Sequence, residues 1–316
     1  MAGSRRATRP CPEEIAMSPS LKTILAATDF SAPAERALQR AVQLAKAHGA
    51  RLELVHTFDA APVMPAWGDP GGGAWVGEKM FMDGVRDQLE RTRERLAAEY
   101  GLPVQATLEV GPAHRQIARQ AEVCAADLVV IGASGASGLL RRLLGSTAQN
   151  VVRTSPAPVL VVRMPAERAY ATAVAASDFS EDAIAAARLA LRLAPGVSLQ
   201  LLHAFESVYD NDLARETMEA SELKTLREQV RERVAGHLDQ ERSALATTFP
   251  DSRITTELRD GAPRECLDPF LAQSHAELLS IGAHGKTRWE AGLLGSTSQH
   301  AITHAPCDVL VWKRAE

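Results

Sequence analysis

The sequence predicts an α/β protein built from two tandem open-sheet domains, each a five-stranded parallel sheet with helices on both faces. Three observations carry that expectation. They are an internal repeat, an alternation of short apolar runs with amphipathic stretches, and a length of 316 residues, which suits two cores better than one. The repeat fixes every later assignment. Ala26-Ala27-Thr28-Asp29-Phe30-Ser31 returns as Ala175-Ala176-Ser177-Asp178-Phe179-Ser180, and Leu54-Val55-His56-Thr57-Phe58 returns as Leu201-Leu202-His203-Ala204-Phe205. Val110-Gly111-Pro112 matches Asp260-Gly261-Ala262, and the run Asp127 to Gly135 matches Glu277 to Gly285. Gly145-Ser146-Thr147 then matches Gly295-Ser296-Thr297, and Val159-Leu160-Val161 matches Val309-Leu310-Val311. Block order is preserved and the offsets stay between 147 and 150 residues, so the chain is a duplication. Its junction falls in the Pro- and charge-containing stretch Arg163 to Tyr170. The expected boundaries are a disordered tail over 1–20, a first domain over 21–164, a linker over 165–170 and a second domain over 171–314.

Within each copy, β-branched or Leu-rich runs alternate with helical periodicity, the pattern of βαβ units around a buried parallel sheet. In copy one the strands are expected over Lys22–Thr28, Leu52–Phe58, Val104–Val110, Leu128–Gly132 and Val159–Val162. Ser31 and Ser180 announce the first helix of each copy as side chains that accept from free N–H groups at a helix start, and Pro33 suits that first turn. Divergence is greatest after strand two. There copy two has a long, highly charged helix from about Asp212 to Ala246, whereas copy one has a Gly/Pro loop from Pro62 to Gly77 and a shorter helix.

Composition narrows the function classes. Hydrophobic residues make up 46% of the chain and charged residues 23%, the balance of a globular protein. A net charge of −4 gives no general attraction to nucleic acid. Cys11, Cys124, Cys266 and Cys307 are scattered and match neither zinc spacing nor a disulfide framework, so they read as reduced thiols. No run approaches a membrane span, and Arg5, Arg6 and Arg9 are followed by no apolar core, so a cytoplasmic location is expected.

In an open parallel sheet, ligands collect at the carboxyl ends of strands where the strand order reverses. Strand one ends in Asp29 and Asp178, each ahead of a helix start. Strand four ends in Gly132-Ala133-Ser134-Gly135, nine residues and Gly145-Ser146-Thr147; copy two has Gly282-Ala283-His284-Gly285, nine residues and Gly295-Ser296-Thr297. Glycine lets backbone N–H groups approach an anion, and a helix starting at Gly145 or Gly295 would aim its free N–H groups and positive dipole end at it. Tight turns alone would also use these glycines; the repeated spacing favours a phosphate cradle. A Walker A loop is excluded because no Lys-Ser or Lys-Thr follows the last glycine, and a dinucleotide turn because Asp29 and Asp178 stand after strand one.

Other residues carry two readings. Asp29 and Asp178 suit a turn as well as a site. His56 and His203 could do acid–base work, but no nucleophile is placed to pair with them, and a structural role is favoured. Arg141, Arg142, Lys286 and Arg288 could meet phosphates or form a solvated basic surface. Trp67 and Trp75 could cap a base or pack elsewhere, and Gly71-Gly72-Gly73 reads as a hinge.

The D-F-S turn after strand one, with G-x-x-G, nine residues and G-S after strand four, closely resembles the universal stress protein family over nearly everything beyond residue 20. The resemblance implies a sheet in the order 3-2-1-4-5 and membership of the ATP-binding branch. It puts Asp29 and Asp178 near the adenosine end of ATP, and Gly132, Gly135, Gly145, Ser146 and Thr147 with Gly282, Gly285, Gly295, Ser296 and Thr297 at the phosphates. Thr57 and Ala204 would offer the adenine a backbone contact, although the family usually has Val there. Mg²⁺ would accompany ATP by bridging phosphates, with no protein metal cage. Pairing of the two copies through their last strands is implied as well, with a homodimer as a further possibility. Two functions are then open. One is a stress-response or signalling protein whose conformation depends on the nucleotide, and the other a slow ATPase or autophosphorylating enzyme. No catalytic residue is assigned, and hydrolysis is expected to be slow or absent.

Overall fold

The computed structural model describes residues 20–58, 73–135, 144–206, 219–285 and 294–313, the side chains of 73–79 excepted. The tail over 1–19, Trp67, Arg141, Arg142, Lys286 and Arg288 lie outside the described residues, as does the side chain of Trp75. Two compact units divide between Glu167 and Arg168.

The first unit runs β1 (Thr23–Thr28), α1 (Ala32–His48), β2 (Arg51–Phe58), α2 (Gly73–Tyr100), β3 (Val104–Val110), α3 (Ala113–Val123), β4 (Leu128–Gly132), α4 (Ser146–Thr154) and β5 (Val159–Val162). Its strand order is β3-β2-β1-β4-β5 and its pairings are parallel. Helices α1 and α2 share one face of the sheet, α3 and α4 the other. The second unit repeats this as β6 (Thr172–Ala176), α5 (Glu181–Leu193), β7 (Ser198–Phe205), α6 (Ala220–Thr248), β8 (Arg253–Asp260), α7 (Pro263–Ser274), β9 (Leu278–Gly282), α8 (Ser296–His304) and β10 (Asp308–Trp312). Its order is β8-β7-β6-β9-β10, again with parallel pairings.

Central strands are buried on both faces, which is why they read as continuous apolar runs: Ile24, Leu25, Leu54, Val129 and Val130 are wholly inaccessible in the first unit, as are Val174, Leu201, Leu278 and Leu279 or nearly so in the second. Small residues let α1 and α5 lie close to the sheet. Ala34, Ala37, Ala41 and Ala45 recur at helical spacing on α1, and Ala183, Ala186, Ala187 and Ala190 do so on α5. Helix α1 stops at Gly49, in the left-handed region at φ 65°, whose N–H reaches back to Ala45 and Lys46. A carboxylate fastens the amino end of each first strand: Asp127 Oδ2 accepts from the N–H groups of Lys22 at 2.6 Å and Thr23 at 2.9 Å. Glu277 Oε2 does the same for Ala171 at 2.6 Å, and Glu277 also pairs with Arg168.

The observed second helices correct one expectation. Helix α2 spans 28 residues and α6 spans 29, so the two are nearly equal and copy one has no markedly shorter helix. Helix α2 begins at Gly73, inside the stretch read as a Gly/Pro loop. Glycine lowers helix propensity by about 1 kcal/mol per residue, and packing of the downstream half, where Leu89 and Leu96 are buried, outweighs that local cost.

Candidate functional site

Both sites are built at the carboxyl ends of the first and fourth strands, where the order of the sheet reverses. After β1 the chain makes a turn fixed by three side-chain bonds in series. Thr28 Oγ1 accepts from Phe30 N–H at 3.0 Å, Asp29 Oδ1 from Ser31 N–H at 3.0 Å, and Ser31 Oγ from Ala34 N–H at 3.3 Å as the cap of α1. Copy two repeats the series through Ser177, Asp178 and Ser180 at 3.1, 3.0 and 3.2 Å. Between these bonds Phe30 and Phe179 are held at φ 61° and 62°, a left-handed conformation that costs a non-glycine residue about 1–2 kcal/mol.

The matched histidines brace this turn. The Nδ1–H of His56 donates to Thr28 O at 2.7 Å, and the ring stacks on Phe30 at 4.6 Å between centroids. His203 makes the same bond to Ser177 O at 2.7 Å and lies 4.4 Å from the Phe179 ring. Burial pushes the His56 imidazole below its ordinary pKa of 6.5, against the opposing influence of its bond to Thr28 and of the Asp29 charge. A neutral, stacked, hydrogen-bonded ring is a structural part, and neither histidine lines the cavity of its unit.

Three glycines of each cradle are glycine for three different reasons. A Cβ on Gly132 would lie 2.9 Å from the carbonyl carbon and oxygen of Pro33, so this glycine lets β4 meet the start of α1. At Gly282 the same atom would lie 3.0 Å from Asp182 Cβ and 3.2 Å from Ala183 N. A Cβ on Gly135 would stand 2.7 Å from Asp29 Oδ2, and on Gly285 2.9 Å from Asp178 Oδ2. These residues are bare so that the strand-one carboxylate can close on the loop. Gly145 and Gly295 are different. At Gly145 the neighbours of a Cβ begin at 3.6 Å and at Gly295 at 3.4 Å, ordinary contact distances, and φ is −67° and −59°. Nothing in the fold of either unit demands a glycine there.

The last glycine ties the loop to the strand end. Gly145 N–H is spent on Ala133 O at 2.8 Å, and Gly295 N–H on Ala283 O at 2.8 Å, which folds the loop back over the strand end. Helices α4 and α8 then start at Ser146 and Ser296 with no side-chain cap bond, so their first-turn N–H groups find no acceptor among the described residues. Those donors and the positive helix end face a cavity of about 370 Å³ in the first unit and about 650 Å³ in the second. Apolar walls complete each cavity, from Val55, Ile117 and Ile131 in one and Leu202, Leu267 and Ile281 in the other. Such a shape suits a ligand with a flat apolar body and an anionic end.

The structure brings every expected site residue to one of these two cavities. Asp29, Thr57, Gly132, Gly135, Gly145, Ser146 and Thr147 line the first, and Asp178, Ala204, Gly282, Gly285, Gly295, Ser296 and Thr297 line the second. No lysine or arginine lines either cavity among the described residues. Among those residues no group of three or more His, Cys, Asp and Glu side chains is placed to hold a metal ion.

The model of the universal stress protein family matches this chain twice, over residues 20–163 and 169–313. The chain belongs to the universal stress protein family. It carries two family domains in tandem and is similar along most of its length to a universal stress protein of Mycolicibacterium smegmatis, 29% identical over 298 residues that cover 91% of this chain and 96% of that one. A single-domain relative from Thermus aquaticus is 37% identical over 147 residues, 45% of this chain and 98% of its own. The solved universal stress protein of Archaeoglobus fulgidus has the same fold, with a TM-score of 0.64 at 20% identity over 92% of this chain and 98% of that one.

Within this tandem universal stress protein the sequence left some lining residues unread. The α3 and α7 walls, Ala113 with Ile117 and Pro263 with Leu267, follow the matched turns at Gly111 and Gly261, which stand at φ 125° and 126°. Those repeated glycines were the available signal. Two side-chain pairs peculiar to copy two carried no local signal. Ser177 Oγ donates to the buried Glu241 Oε2 at 2.7 Å, and Ser298 Oγ donates to Gly282 O at 2.6 Å. Cys124 is an inert packing residue, its thiol pushed up to about 11 by burial. No helix among the described residues is long and apolar enough to cross a membrane.

Proposed function

We propose that each unit binds one adenine nucleotide, ATP in the first place, and that the protein acts in stress response or signalling through nucleotide-dependent conformation. The observation that carries this reading is the uncapped start of α4 and α8 beside a glycine that the fold does not need. Gly145 and Gly295 have room for a side chain, and a side chain there would sit over the donors. Asp29 and Asp178 lie at the other side of the loop, where a ribose hydroxyl could donate to them. The apolar walls would take the base, with Thr57 and Ala204 on its edge. Mg²⁺ would travel on the phosphates, and a comparison of binding with and without EDTA tests that.

Mass spectrometry of nucleotide released from the purified protein tests the reading, alongside Gly145→Val, Gly295→Val and the double variant. We expect each single variant to lose the nucleotide of its own unit and the double variant to lose both. Unchanged content in both single variants would refute the assigned cradles. Hydrolysis is expected to be slow or absent, because Asp29 and Asp178 are the only carboxylates lining the cavities among the described residues, and their Oδ1 atoms already serve the turns. Turnover near ~1 per second, an ordinary enzymatic rate, would overturn that. The apolar sequences of β5 and β10 supply a further proposal, that the copies pair through these strands, since open apolar edges invite association. Cysteines engineered into both strands would then cross-link within one chain, and failure to do so would count against pairing.

A further inference from the structure

The two cradles share a backbone frame but not the residue between their glycines. Ser134 stands there in the first unit, whose α1 carries Pro33 at its second position. His284 and Asp182 occupy the matching places in the second. His284 lines the cavity with its side chain 21% exposed, and its Nδ1 lies 3.9 Å from Asp182 Oδ2. That distance is too long for a hydrogen bond, so the carboxylate neighbours the ring without locking it. Among the described lining residues of both cavities, His284 is the one side chain able to carry positive charge. It sits between Gly282 and Gly285, on the loop to which the start of α8 is tied by the Gly295 N–H bond to Ala283 O.

We propose that His284 is a proton-gated contact for the phosphate tail, so that the second site, and not the first, binds multiply charged nucleotides more tightly as the pH falls. The proposal rests on the nucleotide reading of the cavities. Histidine is the side chain that ordinarily changes charge between pH 5 and 8. The carboxylates placed beside it are Asp178, which lines the same cavity at the end of β6, and Asp182 in the first turn of α5; the first turn of α7 carries an exposed pair of opposite charge, Arg264 and Glu265. The first turn of α8 brings hydroxyls and no acid. A neutral imidazole therefore leaves a site with carboxylates and no cation among the described residues, whereas the imidazolium offsets them and adds a charge-assisted bond to a phosphate oxygen. Such a contact is worth roughly tenfold in affinity. It acts most on the ligand with the most phosphate charge, so ATP gains more than AMP.

Calorimetric titration of the full chain carrying Gly145→Val, which leaves only the second cradle, tests this with AMP, ADP and ATP at pH 6 and pH 8. ATP is expected to bind about tenfold tighter at pH 6 than at pH 8, with a smaller gain for AMP. In the same background His284→Ser, the residue of copy one, should abolish that difference, and His284→Arg should keep tight ATP binding at both pH values. The chain with Gly295→Val, holding only the first cradle, should show the flat profile until Ser134→His is added. Protonation of the nucleotide is common to all these proteins and cancels in the comparison. If His284→Ser retains the full pH response of its parent, the proposal falls while the nucleotide reading stands. If neither single-cradle parent binds any nucleotide, the reading falls and takes the proposal with it.

Discussion

The cradles of the two units differ in their side chains while their turns agree to within a few tenths of an ångström in hydrogen-bond length. At the end of the first strand, Thr28 and Ser177 each accept from the N–H two residues on. Among the described residues only Ser177 also donates, to a glutamate on the second helix of its unit. If Leu89 is matched to Leu238 and Leu96 to Leu245, the place of Glu241 falls on Thr92, whose hydroxyl is satisfied within its own helix by Gln88 O at 2.9 Å. Duplication has kept the atoms that shape the backbone and released those around them. The second cavity, about 650 Å³ against about 370 Å³, has gained a histidine, a buried carboxylate behind its wall and a serine bonded to the strand end. The lesson is that a binding frame made of glycines, short polar turns and helix starts tolerates new chemistry at its margins, because no margin residue sets its geometry.

Substitutions can break that comparison, beginning where the effect is largest. Gly132→Ala drives a Cβ to 2.9 Å from backbone atoms of Pro33, whereas Gly282→Ala meets the Cβ of Asp182 at 3.0 Å. Overpacking of this kind costs about 1–3 kcal/mol, and the copy-one variant is expected to lose more, read as the fall of the lower-melting transition in calorimetry. A larger loss at Gly282 would show that the two strand ends are not supported alike. Next comes Ser177→Ala, which strips a donor from a buried carboxylate at a cost of about 1–3 kcal/mol, against about 1 kcal/mol or less for Thr28→Ala. Equal costs in urea titrations would remove Glu241 from the account of the difference. Ser31→Ala and Ser180→Ala should each cost about 1 kcal/mol and cost the same, since both caps make one bond to the third residue of their helix.

The smallest effect concerns acid. The folded-state pKa of His56 lies below the ordinary 6.5 because burial disfavours its charged form. Between the two values the unfolded chain binds more protons, so stability contributed by the neutral ring is complete above about pH 6.5 and is lost as the pH falls through that window. Melting temperatures of the protein and of His56→Gln should converge on acidification, and a gap that widens would reverse the assigned sign.

Much of this architecture was open to a reader of the sequence alone, for a physical reason. Parallel strands buried on both faces must be apolar along their whole length, so all five strands of copy one were placed to within a residue at each end and the third, fourth and fifth without error. The start of α2 was not, because Gly71-Gly72-Gly73 looks like a hinge to any local rule and the packing that decides the matter comes from Leu89 and Leu96, sixteen or more residues on. The cavity residues were legible because glycine, aspartate and serine at fixed spacing are constrained by backbone geometry. Asp182 with His284 and Ser177 with Glu241 were not, since each pair joins elements far apart in the chain and obeys no period.

The contact between Gly132 and Pro33 has a mechanical consequence. Strand β4 and the start of α1 touch backbone to backbone, and Gly282 repeats the arrangement against Asp182 and Ala183. In the first unit the contact is with backbone alone and in the second with backbone and the Cβ of Asp182, atoms that no rotamer change can move, so this side of each cavity is an anvil. The opposite wall, formed by Ile117 on α3 or Leu267 on α7, meets the cavity through branched side chains whose rotamers can change. Pressure applied inside either cavity is therefore expected to meet less resistance on the α3 or α7 side than at the glycine contact.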